Sequence, residues 1–211
     1  MKMRNDAIGL FWEDRPPEPK PKSEKKAKQK VQPPEPVWLS PDYLPGLAEA
    51  KAFPLPVMDL EDLYNAWYEK HELVYDIESY ENYFIASFRS VVTGYCIYFE
   101  LSDTKNDKLD NLKWILENFV TIGFNSLKYD LIIPQLVPFP KYNHIDLIEV
   151  APLRSNLKTY GGRVHTPKMQ DLPFHPDTIL SEEQKAIVKW YNINADLTST
   201  AFLFTRLLPQ L

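Results

Sequence analysis

Proline is distributed so unevenly along this chain that it fixes where a fold can begin. Residues 13–36 (EDRPPEPKPKSEKKAKQKVQPPEP) hold seven of the 19 prolines and a run of lysines, with almost no large apolar side chain. A stretch like this cannot bury enough surface to offset its ordering entropy, so it reads as a disordered linker. Packed structure must therefore come after it. We read residues 1–36 as an N-terminal arm, 37–56 as an extended strap and 57–211 as one folded domain. Ahead of the linker, AIGLFWED (7–14) reads either as a frayed terminus or as a docking peptide built on Leu10, Phe11 and Trp12.

Charge and composition exclude several classes of protein. Nine Lys and Arg against six Asp and Glu leave residues 1–36 at +3 and the rest of the chain at −8, within a net charge of −5. An acidic body makes a poor non-specific duplex clamp, because duplex affinity comes mostly from cations neutralising phosphates. It suits a site in which carboxylates hold metal ions. One cysteine, Cys96, excludes an intrachain disulfide and fits a reducing, cytoplasmic compartment. No apolar run reaches the ~20 residues of a membrane helix, so no membrane partner is expected.

From Asp59 the pattern turns globular. Leu60 to His71 has helical spacing, with Leu60, Leu63, Tyr64 and Trp67 on one face. Residues 71–79, 82–90 and 93–101 read as three strands, the last two joined by a turn at Thr93-Gly94. Residues 107–119 form an amphipathic helix, followed by a short buried strand at 120–124 and a helix from Ser126. HIDLIEV (144–150) is a further strand candidate, and Ser181 with Gln184 forms a capping box that opens a helix. A last helix spans 195–209, with Leu197, Ala201, Phe202, Phe204 and Leu208 as its apolar positions. This is an α/β layout, a mixed sheet covered by helices.

The acids in apolar surroundings carry the chemistry. Asp76 and Glu78 stand two apart in LVYDIES, so on a strand they project from one face. Such carboxylates need neutralising, and a divalent metal is the usual partner. Asp130 follows Asn125 by five residues in GFNSLKYD, and Asp196 follows Tyr191 by five in YNINAD. Singly, each acid also reads as a capping or surface residue; together they are acids from three segments that can converge on one metal pair. Asp146 reads equally as an extra acid near that site or as a strand-end hydrogen-bond acceptor. The glycines of LKTYGGR (157–163) read as a structural turn or, with Arg163, as a phosphate cradle.

The segments YDIES, GFNSLKYD and YNINAD resemble the three motifs of the DEDD-type (DnaQ-like) 3′–5′ exonucleases, in their tyrosine-bearing branch. DIESYENYF (76–84), IDLIE (145–149), LKTYGGR (157–163) and MQDLPF (169–174) extend the similarity to the N-terminal proofreading region of bacteriophage DNA polymerases. The resemblance implies an RNase H-like fold over roughly 57–211. It also implies that Asp76, Glu78, Asp130 and Asp196 hold two Mg²⁺ or Mn²⁺ ions, roughly 3.5–4 Å apart in two-metal sites. Tyr191 would orient the attacking water, and Asn125 would contact the terminal nucleotide or its phosphate. Tyr80, Tyr83 and Phe84 would either stack on unpaired bases or pack in the core. The implied partner is the 3′ end of single-stranded DNA, with a polymerase or replisome protein reached through the N-terminal arm. The same fold also admits a free-standing nuclease on RNA or short DNA, and a non-catalytic docking or DNA-holding module.

The spacing of the last motif departs from that branch. Four residues separate Tyr191 from Asp196 where three are usual, and on one continuous α-helix five positions turn side chains about 140° apart. A break or bulge at 191–194 is therefore expected, with Tyr191 in a loop and Asn194 capping a new helix at Ala195.

Overall fold

The computed structural model describes residues 56–130, 143–166, 172 and 174–211. The N-terminal arm and nearly all of the strap lie outside these residues. So do the link after Asp130 and most of the MQDLPF segment.

Strand β1 (Leu73–Tyr80) is the centre of a five-stranded sheet. On one side it pairs antiparallel with β2 (Tyr83–Ser90), which pairs antiparallel with β3 (Cys96–Ser102). The β1–β2 turn is only Glu81-Asn82, because Tyr80 already faces Tyr83. Gly94 takes a left-handed conformation (φ 74°) in the next turn, as expected of the Thr93-Gly94 pair. On its other side β1 runs parallel to β4 (Val120–Gly123), and β4 parallel to β5 (Asn143–Asp146). The order across the sheet is β3-β2-β1-β4-β5.

Alternation along the strands gives the sheet two apolar faces. Leu73, Tyr75, Phe84, Ala86 and Phe88 meet helices α1 (Leu60–Tyr68) and α2 (Asp110–Asn118) through Leu63, Ala66, Leu112, Ile115 and Leu116. Each fully buried side chain of this size contributes roughly 1.5–3 kcal/mol. The capping box of α1, Asp59 with Asp62, fixes its start. Its buried stripe is Leu63 and Ala66, not the expected Leu60–Leu63–Tyr64–Trp67 face. Leu60 lies in solvent, while Tyr64 and Trp67 set their rings against Trp114 of α2 with one side wet.

The opposite face carries helix α6 (Glu182–Tyr191), a π-helical turn (Asn192–Asp196) and helix α7 (Leu197–Leu207). Val74 and Ile122 pack there against Ile193, Leu197, Leu203, Phe204 and Leu207. The Ser181–Gln184 capping box opens α6 as its sequence indicates. In α7 the buried set replaces the expected Phe202 and Leu208, both exposed, with Leu203 and Leu207.

Two further expectations are corrected. The strand expected at 144–150 ends at Asp146, and Leu147–Val150 is a helical turn, α4, because the Asp146 carboxylate accepts the Ile148 N–H. The glycine pair of LKTYGGR is neither a turn nor a phosphate cradle; it lies within helix α5 (Leu157–Arg163), capped by Asn156 at the Thr159 N–H. Tyr160 anchors that helix, its hydroxyl donating to the Leu153 carbonyl and accepting the Leu153 N–H. Among the described residues no helix is long and apolar enough to cross a membrane.

Candidate metal centre

β1 presents Val74, Asp76 and Glu78 on the face that α7 covers, so the two acids enter the same layer as the π-turn. There Asp196 meets them. One carboxylate oxygen from each of Asp76, Glu78 and Asp196 lies within 4.8 Å of the others.

The π-turn is what brings Asp196 into place. Of the break or bulge expected at 191–194, the structure shows a bulge: the helix continues through Tyr191 into the π-turn, so Tyr191 is not in a loop and Asn194 does not cap a new helix. Tyr191, Asn192 and Asp196 all keep right-handed helical angles, and the Leu197 N–H reaches back to the Asn192 carbonyl, an i→i+5 bond. Closing the turn one residue late places residue i+5 above residue i, which an α-helix cannot do. Tyr191 accordingly donates its hydroxyl to Asp196 Oδ2 at 2.7 Å. The same turn aims Asn192 at the sheet, where its Nδ2 donates to Asp76 Oδ2 at 2.7 Å.

Electrostatically the trio is strained by its own charge. Burial, then the nearby Asp196, Glu78 and Asp130, push Asp76 well above the ordinary carboxylate range. Burial, Asp196 and Asp130 do the same to Glu78, opposed by Lys158. Tyr191 is raised by burial and by Asp196, so its proton stays on. The Lys158 ammonium sits 5.6 Å from the centre of the Tyr191 ring.

Asp130 stands apart from the trio. It follows the single turn α3 (Ser126–Tyr129) as its C-terminal cap, outside the 4.8 Å group but close enough to raise both β1 acids. Its own pKa is pushed up to about 7 by burial and by Asp146. Asn125, the expected nucleotide contact, takes a left-handed conformation (φ 58°) at the junction of β4 and α3. Asp146 holds this junction: its carboxylate accepts the N–H groups of Asn125 at 2.6 Å and Leu127 at 3.0 Å. Of its two sequence readings, the structure gives Asp146 the hydrogen-bonding one.

Tyr80, Tyr83 and Phe84 are core residues here, each less than a tenth exposed. Tyr83 donates to Glu100 at 2.8 Å, which removes these rings from the surface expected to stack on bases. Asn192 and Lys158 are the site residues that sequence reading passed over. The signal for Asn192 lies in its place inside the unusual interval between Tyr191 and Asp196.

Three hard carboxylate donors, two of them (Asp76 and Glu78) with raised proton affinity, fit Mg²⁺ or Mn²⁺, which favour oxygen ligands. Ser87 Oγ, across from Asp76 in the β1–β2 register, and Asn192 Oδ1 are buried without a hydrogen-bond partner among the described residues. Polar atoms in that state are what the water around an ion satisfies. Comparison with protein-family models, curated proteins and solved structures gave no match.

Proposed function

We propose that this chain is a metal-dependent 3′–5′ exonuclease acting on DNA, a proofreading component of a phage-type polymerase. The observation that carries the reading is the convergence of Asp76, Glu78 and Asp196, with the Tyr191 hydroxyl already on Asp196. A five-stranded mixed sheet with helices on both faces supports an RNase H-like assignment of the fold. The N-terminal arm would tether the domain to the polymerase or to another replisome protein.

Asp76, Glu78 and Asp196 would hold the ions, with Asp130 completing the set from α3. Two divalent cations there would activate water and stabilise the leaving 3′ oxygen. The protein's own part is positional. Asn192 fixes one Asp76 oxygen and leaves the other for a ligand role. Tyr191 spends its proton on Asp196, so its oxygen lone pairs accept a hydrogen bond from water and orient it. Lys158 supplies positive charge beside Glu78 and Tyr191, where a phosphate of the strand would add negative charge.

The test is hydrolysis of a 5′-labelled single strand, with Mg²⁺ and with chelator. The expected result is a ladder shortening from the 3′ end, only with metal, and absent in Asp76→Ala. Equal digestion by Asp76→Ala and the parent would remove the carboxylate trio from the reaction.

A further inference from the structure

A second feature of the same sheet face is positively charged and has no part in the carboxylate site. Two residues along β2 from Ser87, the partner of Asp76, stands Arg89. Two residues span roughly 7 Å of strand. Its guanidinium donates to Thr198 Oγ1 at 2.9 Å and lies 3.5 Å from where a side chain on Gly94 would begin. Across from it, α7 presents Thr198, Phe202, Thr205 and Arg206, spaced so that they share one helix face. Together they line a cleft of about 350 Å³. That is the size of a small-ligand pocket.

The chemistry of the cleft is anionic recognition. No carboxylate is among its lining residues, although the chain as a whole is acidic. Among the described residues neither Arg89 nor Arg206 forms an ion pair. A half-buried guanidinium held by one neutral hydroxyl lacks the counter-charge that burial calls for. Thr198 accepts from Arg89 and keeps its own O–H to donate. Phe202 sits at the mouth, 41% exposed, a flat apolar ring beside two planar cations.

We infer that this cleft binds a nucleotide, with its phosphate between Arg89 and Arg206 and its base against Phe202. Guanidinium forks match phosphate geometry bidentately, and an aromatic ring stacks on any base. The site is separate from the carboxylate trio and requires no catalysis there. The nucleotide is either free or one unit of a bound strand, and the test separates the two.

Binding is measured with the full-length protein in chelator, so that metal-dependent binding and cleavage are silent. The probes are dAMP and a phosphorothioate-linked single-stranded oligonucleotide. Arg206→Gln and Phe202→Ala change exposed side chains, and thermal melting confirms that both variants are folded. We expect each to weaken binding about tenfold, the scale of one charge-assisted contact or one stacked base. Loss seen with dAMP assigns the cleft to a free nucleotide; loss seen only with the oligonucleotide assigns it to a strand. Either probe should still bind Asp76→Ala as it binds the parent, which holds even if the nuclease reading fails. Equal binding to the parent and both variants, or no binding of either probe to the parent, overturns the inference.

Discussion

A methyl group on residue 123 would stand 2.5 Å from Ser126 Oγ and 2.6 Å from Ser126 Cβ. Gly123 ends β4 directly beneath α3, so only glycine lets the chain fold back this tightly. Ser126 is buried and pairs with His144 Nε2 at 2.8 Å, so it has nowhere to go. Gly123→Ala should therefore cost ~1–3 kcal/mol, the usual penalty for overpacking, read by chemical denaturation. On the proposed function it should also lower nuclease activity by shifting Asp130. Tyr191→Phe tests a different kind of contact. The ring stays and the fold is kept, but Asp196 loses its donor and, on the proposed function, water loses its guide. Hydrolysis should slow on the order of a hundredfold, with the Mg²⁺ concentration giving half-maximal rate unchanged. A variant as fast as the parent would leave Tyr191 with a structural role only.

At the scale of elements, the π-turn is one extra residue accommodated without breaking a helix. Removing it should restore ordinary helical register. Deletion of Asn194 leaves three residues between the tyrosine and the aspartate, an offset of about 40° on an α-helix. The shortened protein should melt at or above the parent temperature and keep its activity. A collapse of both would show that the wide turn is needed for Asn192 to reach Asp76. The irregularity was visible in the sequence because two chemically marked residues, Tyr191 and Asp196, bracket it. Its form was not, since helix widening and helix breaking leave the same count of residues. The Ser181–Gln184 start and the β1 acids were also legible, each being a local pattern with one geometric outcome. The buried face of α1 was not. Tyr64 and Trp67 are apolar enough to suggest the core, but they lean on Trp114 at its rim, a distinction that depends on α2 lying alongside. Asp146 likewise ended its strand through a side-chain bond, which hydrophobic alternation does not register.

Across the whole molecule, one buried carboxylate ties the sheet edge to the helical layer. Glu100 of β3, 3% exposed, accepts from Tyr83 at 2.8 Å, Lys105 at 2.9 Å and Lys189 of α6 at 2.8 Å. Burial raises its pKa, but the bonds from Lys189, Lys105 and Tyr83 outweigh it and leave Glu100 below the ordinary value. A depressed folded-state pKa gives stability that is fully present above the unfolded value, about 4.3. That stability is lost as pH falls through the folded value. Melting temperature should therefore drop on acidification below about pH 4, and the Glu100→Gln protein should lack this component of the drop. At neutral pH the same substitution should cost ~1–3 kcal/mol, because the partly buried Lys189 loses its counter-charge.

The hydrogen bond from Asn192 to Asp76 joins residues 116 positions apart. The hairpins β1 to β3 are local and can form early, yet by themselves they hold only two of the three acids, Asp76 and Glu78. Bringing α6 and the π-turn back onto β1 closes a long loop, and its entropy must be met before the trio exists. A chain with native-like strands but an undocked C-terminal half would look structured by circular dichroism and cut nothing. On the proposed function, activity would therefore depend on docking of the C-terminal helices, and a population lacking that docking would be inert toward nucleic-acid strands.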